Sequence, residues 1–138
     1  MDYVIDLDPT HHVIRLTVTM FITDEALTDI YWTLKRIASR GGPYAGVITD
    51  LSQVVDFHLS SSTIRTLAAI DPPVPGRGLR VIVAREPAAY GFARMFELYR
   101  DSVGVRVQVV PSINAAYESL EVRPEDFTRR LFPEDLAA

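Results

Sequence analysis

A chain of 138 residues, 48% of them apolar and 23% charged, has the make-up of one globular domain with one core and no room for a second. Its net charge of −4, from 18 acidic and 14 basic residues, argues against the backbone of nucleic acid as a main partner. The absence of cysteine excludes a disulfide framework, a thiol nucleophile and every thiolate metal site, and makes a reducing, cytoplasmic setting the expectation.

The first residues carry neither a basic region nor a long apolar run, so neither a signal peptide nor integral membrane association is expected. Tyr3, Ile5 and Leu7 alternate with Asp2, Val4 and Asp6, the period-two signature of a strand with one buried face. After Asp8-Pro9-Thr10, alternation resumes over residues 12–22, with Ile14, Leu16, Val18 and Met20 on one side, and the two strands read as an antiparallel hairpin. Thr23-Asp24-Glu25 supplies a cap and early negative charge for a helix carrying Leu27, Ile30, Tyr31, Leu34 and Ile37 inward, which Gly41-Gly42-Pro43 ends.

Residues 45–51 form a short apolar run expected as a central strand, and Asp50 then falls at its carboxyl end, where open α/β sheets place their ligands. Ser60-Ser61-Ser62 offers N-caps for a second helix with Ile64, Leu67 and Ala68 inward. A fourth strand over residues 79–84, a helix from Pro87 to Asp101, a strand over residues 105–110 and a helix capped by Ser112 complete the order β-β-α-β-α-β-α-β-α. Repeated crossovers of this kind imply a largely parallel α/β sheet of about five strands, with the hairpin at an edge and about four helices around it. The domain is expected over residues 1–122. Residues 123–138 form a tail in which a short helix would carry Phe127 and Leu131 on one side.

Asp50-Leu51-Ser52, followed by a loop and the serine-capped helix, resembles the STAS domains, which include the anti-sigma-factor antagonists of the SpoIIAA type, and the resemblance in element order runs from Tyr3 to Leu120. The stretch Tyr90-Gly91-Phe92-Ala93-Arg94-Met95-Phe96-Glu97 is closer to a group of small bacterial STAS/SEC14-like single-domain proteins. In the antagonists the loop ends in Asp-Ser-Ser-Gly and a serine at the helix N-terminus is phosphorylated. Here His58-Leu59-Ser60-Ser61-Ser62-Thr63 stands in that place, without the aspartate or the glycine. The SEC14 side of the resemblance implies a lipid or other apolar ligand.

The residues themselves offer three readings. The leading one is a regulatory or protein-interaction module, not an enzyme, that forms a homodimer and has a further protein partner as an option. Ser60, Ser61, Arg65 and Asp50 are its candidate regulatory or anion-binding residues, because a helix N-terminus presents free amides and partial positive charge. Trp32, opposite the apolar stripe of its helix, and Phe92, Phe96 and Phe127 are its candidate interface residues. The second is a small apolar-ligand or lipid binder with a pocket near Tyr90, Arg94 and Met95, beside Phe92 and Phe96. An enzyme ranks third and would need Asp50, His58 and a serine to converge in one cleft. No metal is expected, since adjacent His11 and His12 would point to opposite faces. No cofactor is expected either, since Gly76-Arg77-Gly78 is too short for a phosphate loop and no dinucleotide fingerprint follows the first strand.

Overall fold

A computed structural model describes residues 3–101 and 104–132. Its centre is a six-stranded mixed sheet ordered β5-β4-β3-β2-β1-β6. The antiparallel hairpin of β1 (Tyr3–Asp8) and β2 (Val13–Thr23) leads into helix α1 (Asp24–Gly41), then β3 (Gly46–His58), α2 (Ser61–Ala69), β4 (Leu79–Val83), α3 (Pro87–Asp101), β5 (Val107–Val110) and α4 (Ile113–Leu120). Strands β2 to β5 run parallel. Among the described residues no helix is long and apolar enough to cross a membrane.

The α/β class, the hairpin and the four helices agree with the sequence reading, and the tail departs from it. A 3-10 turn at Pro124–Asp126 precedes a short strand, β6 (Arg129–Leu131), which pairs antiparallel with β1, so the sheet has six strands where about five were expected and the hairpin, expected at an edge, is covered by β6. Phe127 and Leu131 therefore do not share a helix face. Phe127 lies against Tyr117 of α4, and Leu131 stands opposite Ile5. The tail becomes a strand because β1 would otherwise leave its outer amides and carbonyls unpaired.

The second departure is the length of β3. It runs seven residues past Leu51, so Asp50 lies within the strand, opposite the last residue of β4, Val83. Beyond that level β3 pairs only with β2, and its register slips at two bulges, between Thr17 and Thr19 and between Met20 and Phe21 of β2. Each slip gives β3 one extra residue and re-aims its side chains.

Period-two alternation sorts the side chains into two layers. Ile14, Leu16, Val18, Val47 and Ile82 face the side covered by α1, α2 and α3, while Val13, Ile48, Val81 and Val83 face α4, whose Ala116 and Tyr117 close that side. Helix α3 turns an inner stripe of Ala89, Ala93, Phe96 and Arg100 toward the sheet, and the small side chain of Ala93 leaves space there that a larger residue would fill.

Candidate functional site

That space is a cavity of about 140 Å³ between the sheet and the helices α1, α2 and α3. Leu16 and Val18 form part of its floor, Tyr31 and Leu34 come from α1, Ile64 and Leu67 from α2, and Phe92, Ala93 and Phe96 from α3. Pro72, Pro73 and Val74, in the segment joining α2 to β4, close one end. The wall is hydrocarbon apart from Thr49, the Tyr31 hydroxyl and two guanidinium groups, those of Arg80 and Arg100.

The two arginines are held differently. Arg80, on the same face of β4 as Ile82, donates to the carbonyls of Gly76, Gly78 and Val74 and so organises the loop before its own strand. Gly78 is required there, because a side chain would collide with the Ala45 carbonyl. Arg100, in the last turn of α3, is only 2% exposed, donates Nη1 to the Ile70 carbonyl at 2.6 Å, and lies 5.0 Å from the centre of the Phe96 ring. Neither arginine makes an ion pair among the described residues. Burial pushes both guanidinium groups below their ordinary value, and for Arg100 the nearby positive charge of Arg80 adds to the effect. Both remain cations, because an arginine does not deprotonate in a protein.

Of the residues read as a pocket, the structure brings in their neighbours instead. Phe92 and Phe96, expected at an interface, line the cavity, and Phe92 also stacks on Phe57. Tyr90 is half exposed, Arg94 pairs with Glu97 on the outer surface of α3, and neither they nor Met95 line the cavity. Arg100 was missed, although it stands four residues after Phe96 and seven after Ala93, which puts it on the inner stripe. An arginine at that spacing is the signal a helical projection carries.

The serine cluster is a structural cap. Ser60 Oγ accepts from the Thr63 amide and donates to Asp24 Oδ2 at 2.9 Å, and the Ser60 amide donates to Asp24 Oδ1 at 2.8 Å. These bonds, first the one from the Ser60 amide, hold the Asp24 carboxyl below its usual range. Ser61 is exposed in the first turn of α2, and Arg65 reaches across to Tyr99 of α3, donating Nε to the hydroxyl at 3.1 Å. Asp50 is buried and accepts from the Ser52 amide at 2.9 Å across the first bulge, while His58 pairs with Asp56 at the exposed end of β3. No hydrogen bond among those described joins Asp50, His58 and a serine hydroxyl to one another, so the enzyme reading gains no support from their placement.

Trp32 is 49% exposed on the outer side of α1, edge-on to Tyr31 and 5.2 Å from the Lys35 ammonium. Phe127 is covered on one side by Tyr117 and on another by the Arg15 guanidinium, 4.6 Å from its ring centre. On that same side of the sheet Asp8, His11 and Asp126 bring ligand atoms within 4.8 Å of one another. His11 Nδ1 is already bound to Asp8 Oδ2 at 2.7 Å, and Asp8 Oδ1 receives the amides of Thr10 and His11. Asp126 receives the Arg123 amide, so the two carboxylates are engaged within the hairpin turn and within the tail, and His11 Nδ1 stands 3.8 Å from Asp126 Oδ2 between them.

No protein-family model matches this chain, and no curated protein matches it. The cavity, with its apolar wall and buried cation, is the feature that the remaining chemistry has to account for.

Proposed function

We propose that this protein binds a small, largely apolar organic molecule in the cavity between its sheet and helices α1 to α3. The observation that supports this is the cavity itself: about 140 Å³ of space with a hydrocarbon wall and a few polar groups. A well-packed domain leaves few spaces of this size, an enclosed apolar cavity of about 150 Å³ takes up benzene, and this one, of similar volume, is partly open, which gives a ligand a way in. The function is one of binding. The serines, Asp50 and His58 make no arrangement for attack on a carbonyl, and the cavity lining holds no pair of titratable groups poised to exchange a proton.

The test is thermal unfolding and nuclear magnetic resonance in the presence of toluene. Toluene is expected to raise the Tm in a saturable way and to shift resonances of Leu16, Ala93 and Phe96 first, since a ligand that binds only the folded state stabilises it. An unchanged Tm and an unchanged spectrum at saturating toluene would remove the proposal.

A second reading, a homodimer or other protein-interaction module, rests on Trp32. With Phe92 and Phe96 turned inward and Phe127 covered, Trp32 is the candidate interface aromatic that still faces solvent. Analytical ultracentrifugation tests it: a dimer converted to monomer by Trp32→Ala supports it, and a wild-type monomer at high concentration removes it. We further read the fold as of the SpoIIAA, STAS-like type in a cytoplasmic protein, on the N-terminal antiparallel hairpin, the four helices and the absence of cysteine. The phosphoserine switch of that resemblance fits poorly, since a phosphate on Ser60 would meet the Asp24 carboxylate already bound there.

A further inference from the structure

Resting on the reading of the cavity as a ligand site, we propose that its ligand is a small organic carboxylate, its hydrocarbon body against Leu16, Val18 and Ala93 and its carboxylate on the guanidinium of Arg100. Holding the Ile70 carbonyl uses one of the five N–H donors of this side chain. Nε and Nη2 have no acceptor among the described residues. These two nitrogens form the side-on edge that takes both oxygens of a carboxylate in parallel.

No carboxylate among the described residues lies within ion-pair distance of the group. Phe96 lies against the guanidinium, the Tyr31 hydroxyl donates to the Asp71 carbonyl, and Arg80 is bound to three carbonyls of its own loop. The Asp71 carboxylate is near enough to favour the charged form of Arg100, but it belongs to an exposed residue and stops short of an ion pair. A cation buried among hydrocarbon is strongly disfavoured unless an opposite charge meets it. A ligand that brings one negative charge on two oxygens supplies what the wall lacks.

The same count distinguishes a carboxylate from a phosphate. One free guanidinium edge offers two donors, and a phosphate would add a third oxygen and further charge that Arg80, already engaged, does not meet. The volume limits the hydrocarbon part to about six to eight carbons, close to the benzene-sized case.

Calorimetric titration with two matched pairs tests the proposal: benzoate against benzamide, and hexanoate against hexanamide, the two bodies separating an aromatic from an alkyl ligand. In the wild-type protein at least one acid is expected to bind about tenfold or more tightly than its amide. In Arg100→Met that preference is expected to vanish while the amide still binds. Equal affinity of acid and amide in the wild type would overturn the carboxylate and leave the cavity reading standing. Binding by none of the four would overturn the cavity reading itself. An acid preference that persists in Arg100→Met would take the carboxylate off Arg100. The acid-to-amide comparison is made on the unaltered protein, so it decides the proposal even where the variant fails to fold.

Discussion

Asp6 stands between two arginines in a row that three strands share. Register places it opposite Arg15 of β2 on one side and Arg130 of β6 on the other, and its carboxylate accepts from Arg15 Nη2 at 2.9 Å and Arg130 Nε at 3.0 Å. Burial pushes the Asp6 carboxyl upward, and the hydrogen bonds and charges of Arg130 and Arg15 outweigh it, leaving the group below its ordinary 3.8. A carboxyl lowered in the folded state contributes stability that is complete above its unfolded value and is lost as pH falls through the folded one. Stability is therefore expected to fall on acidification below about pH 4, and Asp6→Asn is expected to flatten that part of the profile in urea unfolding followed against pH. At neutral pH Asp6→Asn is expected to cost about 3 kcal/mol, because Arg15, mostly buried with an unpaired Nε, loses its counter-charge. The sequence put Asp6 on the face opposite Ile5 and Leu7, as found, but read that face as solvated. Its second partner lies 124 residues away, and no local pattern encodes so distant a pairing. Ser60, by contrast, was legible, because capping is a local matter. Ser60→Ala is expected to cost about 1 kcal/mol in the same assay, and Ser60→Asp more than that, since its charge would face Asp24.

Elements were legible where their period was unbroken. Helices α1, α2 and α4 carry the caps expected of them, Thr23, Ser60 and Ser112, each accepting from an amide three residues on. The second half of β3 was not recognised, and the reason is geometric. Leu51, Val54 and Phe57 all pack against the main core, a spacing of three where a regular strand has two, because each bulge inserts a residue. β6 was hidden differently. Three residues are too few to show a period, and what makes them a strand is the open edge of β1. Removal of residues 128–132 is expected to abolish hydrogen-exchange protection at the β1 amides that pair with β6, while those bonded to β2 stay protected. Unchanged protection along β1 would show that the pairing contributes nothing in solution.

At the scale of the whole molecule, three helices share one side of the sheet and one helix with the tail covers the other, so the two sides are packed to different standards. The α4 side is closed by Tyr117, Phe127 and the arginine row. The other side keeps its void because Ala93 stands where α3 meets the sheet. The class of fold was readable from the alternation of elements, whereas the void was not, since it depends on which side chains fail to meet across layers. Ala93→Leu is expected to fill it. The variant should unfold at a Tm equal to or above that of the wild type, gaining up to ~1 kcal/mol from the added hydrocarbon, and should lose the ligand-induced rise in Tm. A ligand response that survives would place the binding elsewhere.

The pairing of β1 with β6 also bears on how the chain is made. β1 is synthesised before its outer neighbour, with the rest of the sheet between them, so a nascent chain displays the edge bearing Ile5 and Leu7 until β6 follows. An open strand edge invites addition by another molecule, and a charge in mid-strand discourages it. Asp6, held by Arg15 on the inner side, guards that edge against neighbouring nascent chains until Arg130 arrives, and the same carboxylate that repels strangers then becomes the point at which the chain recognises β6.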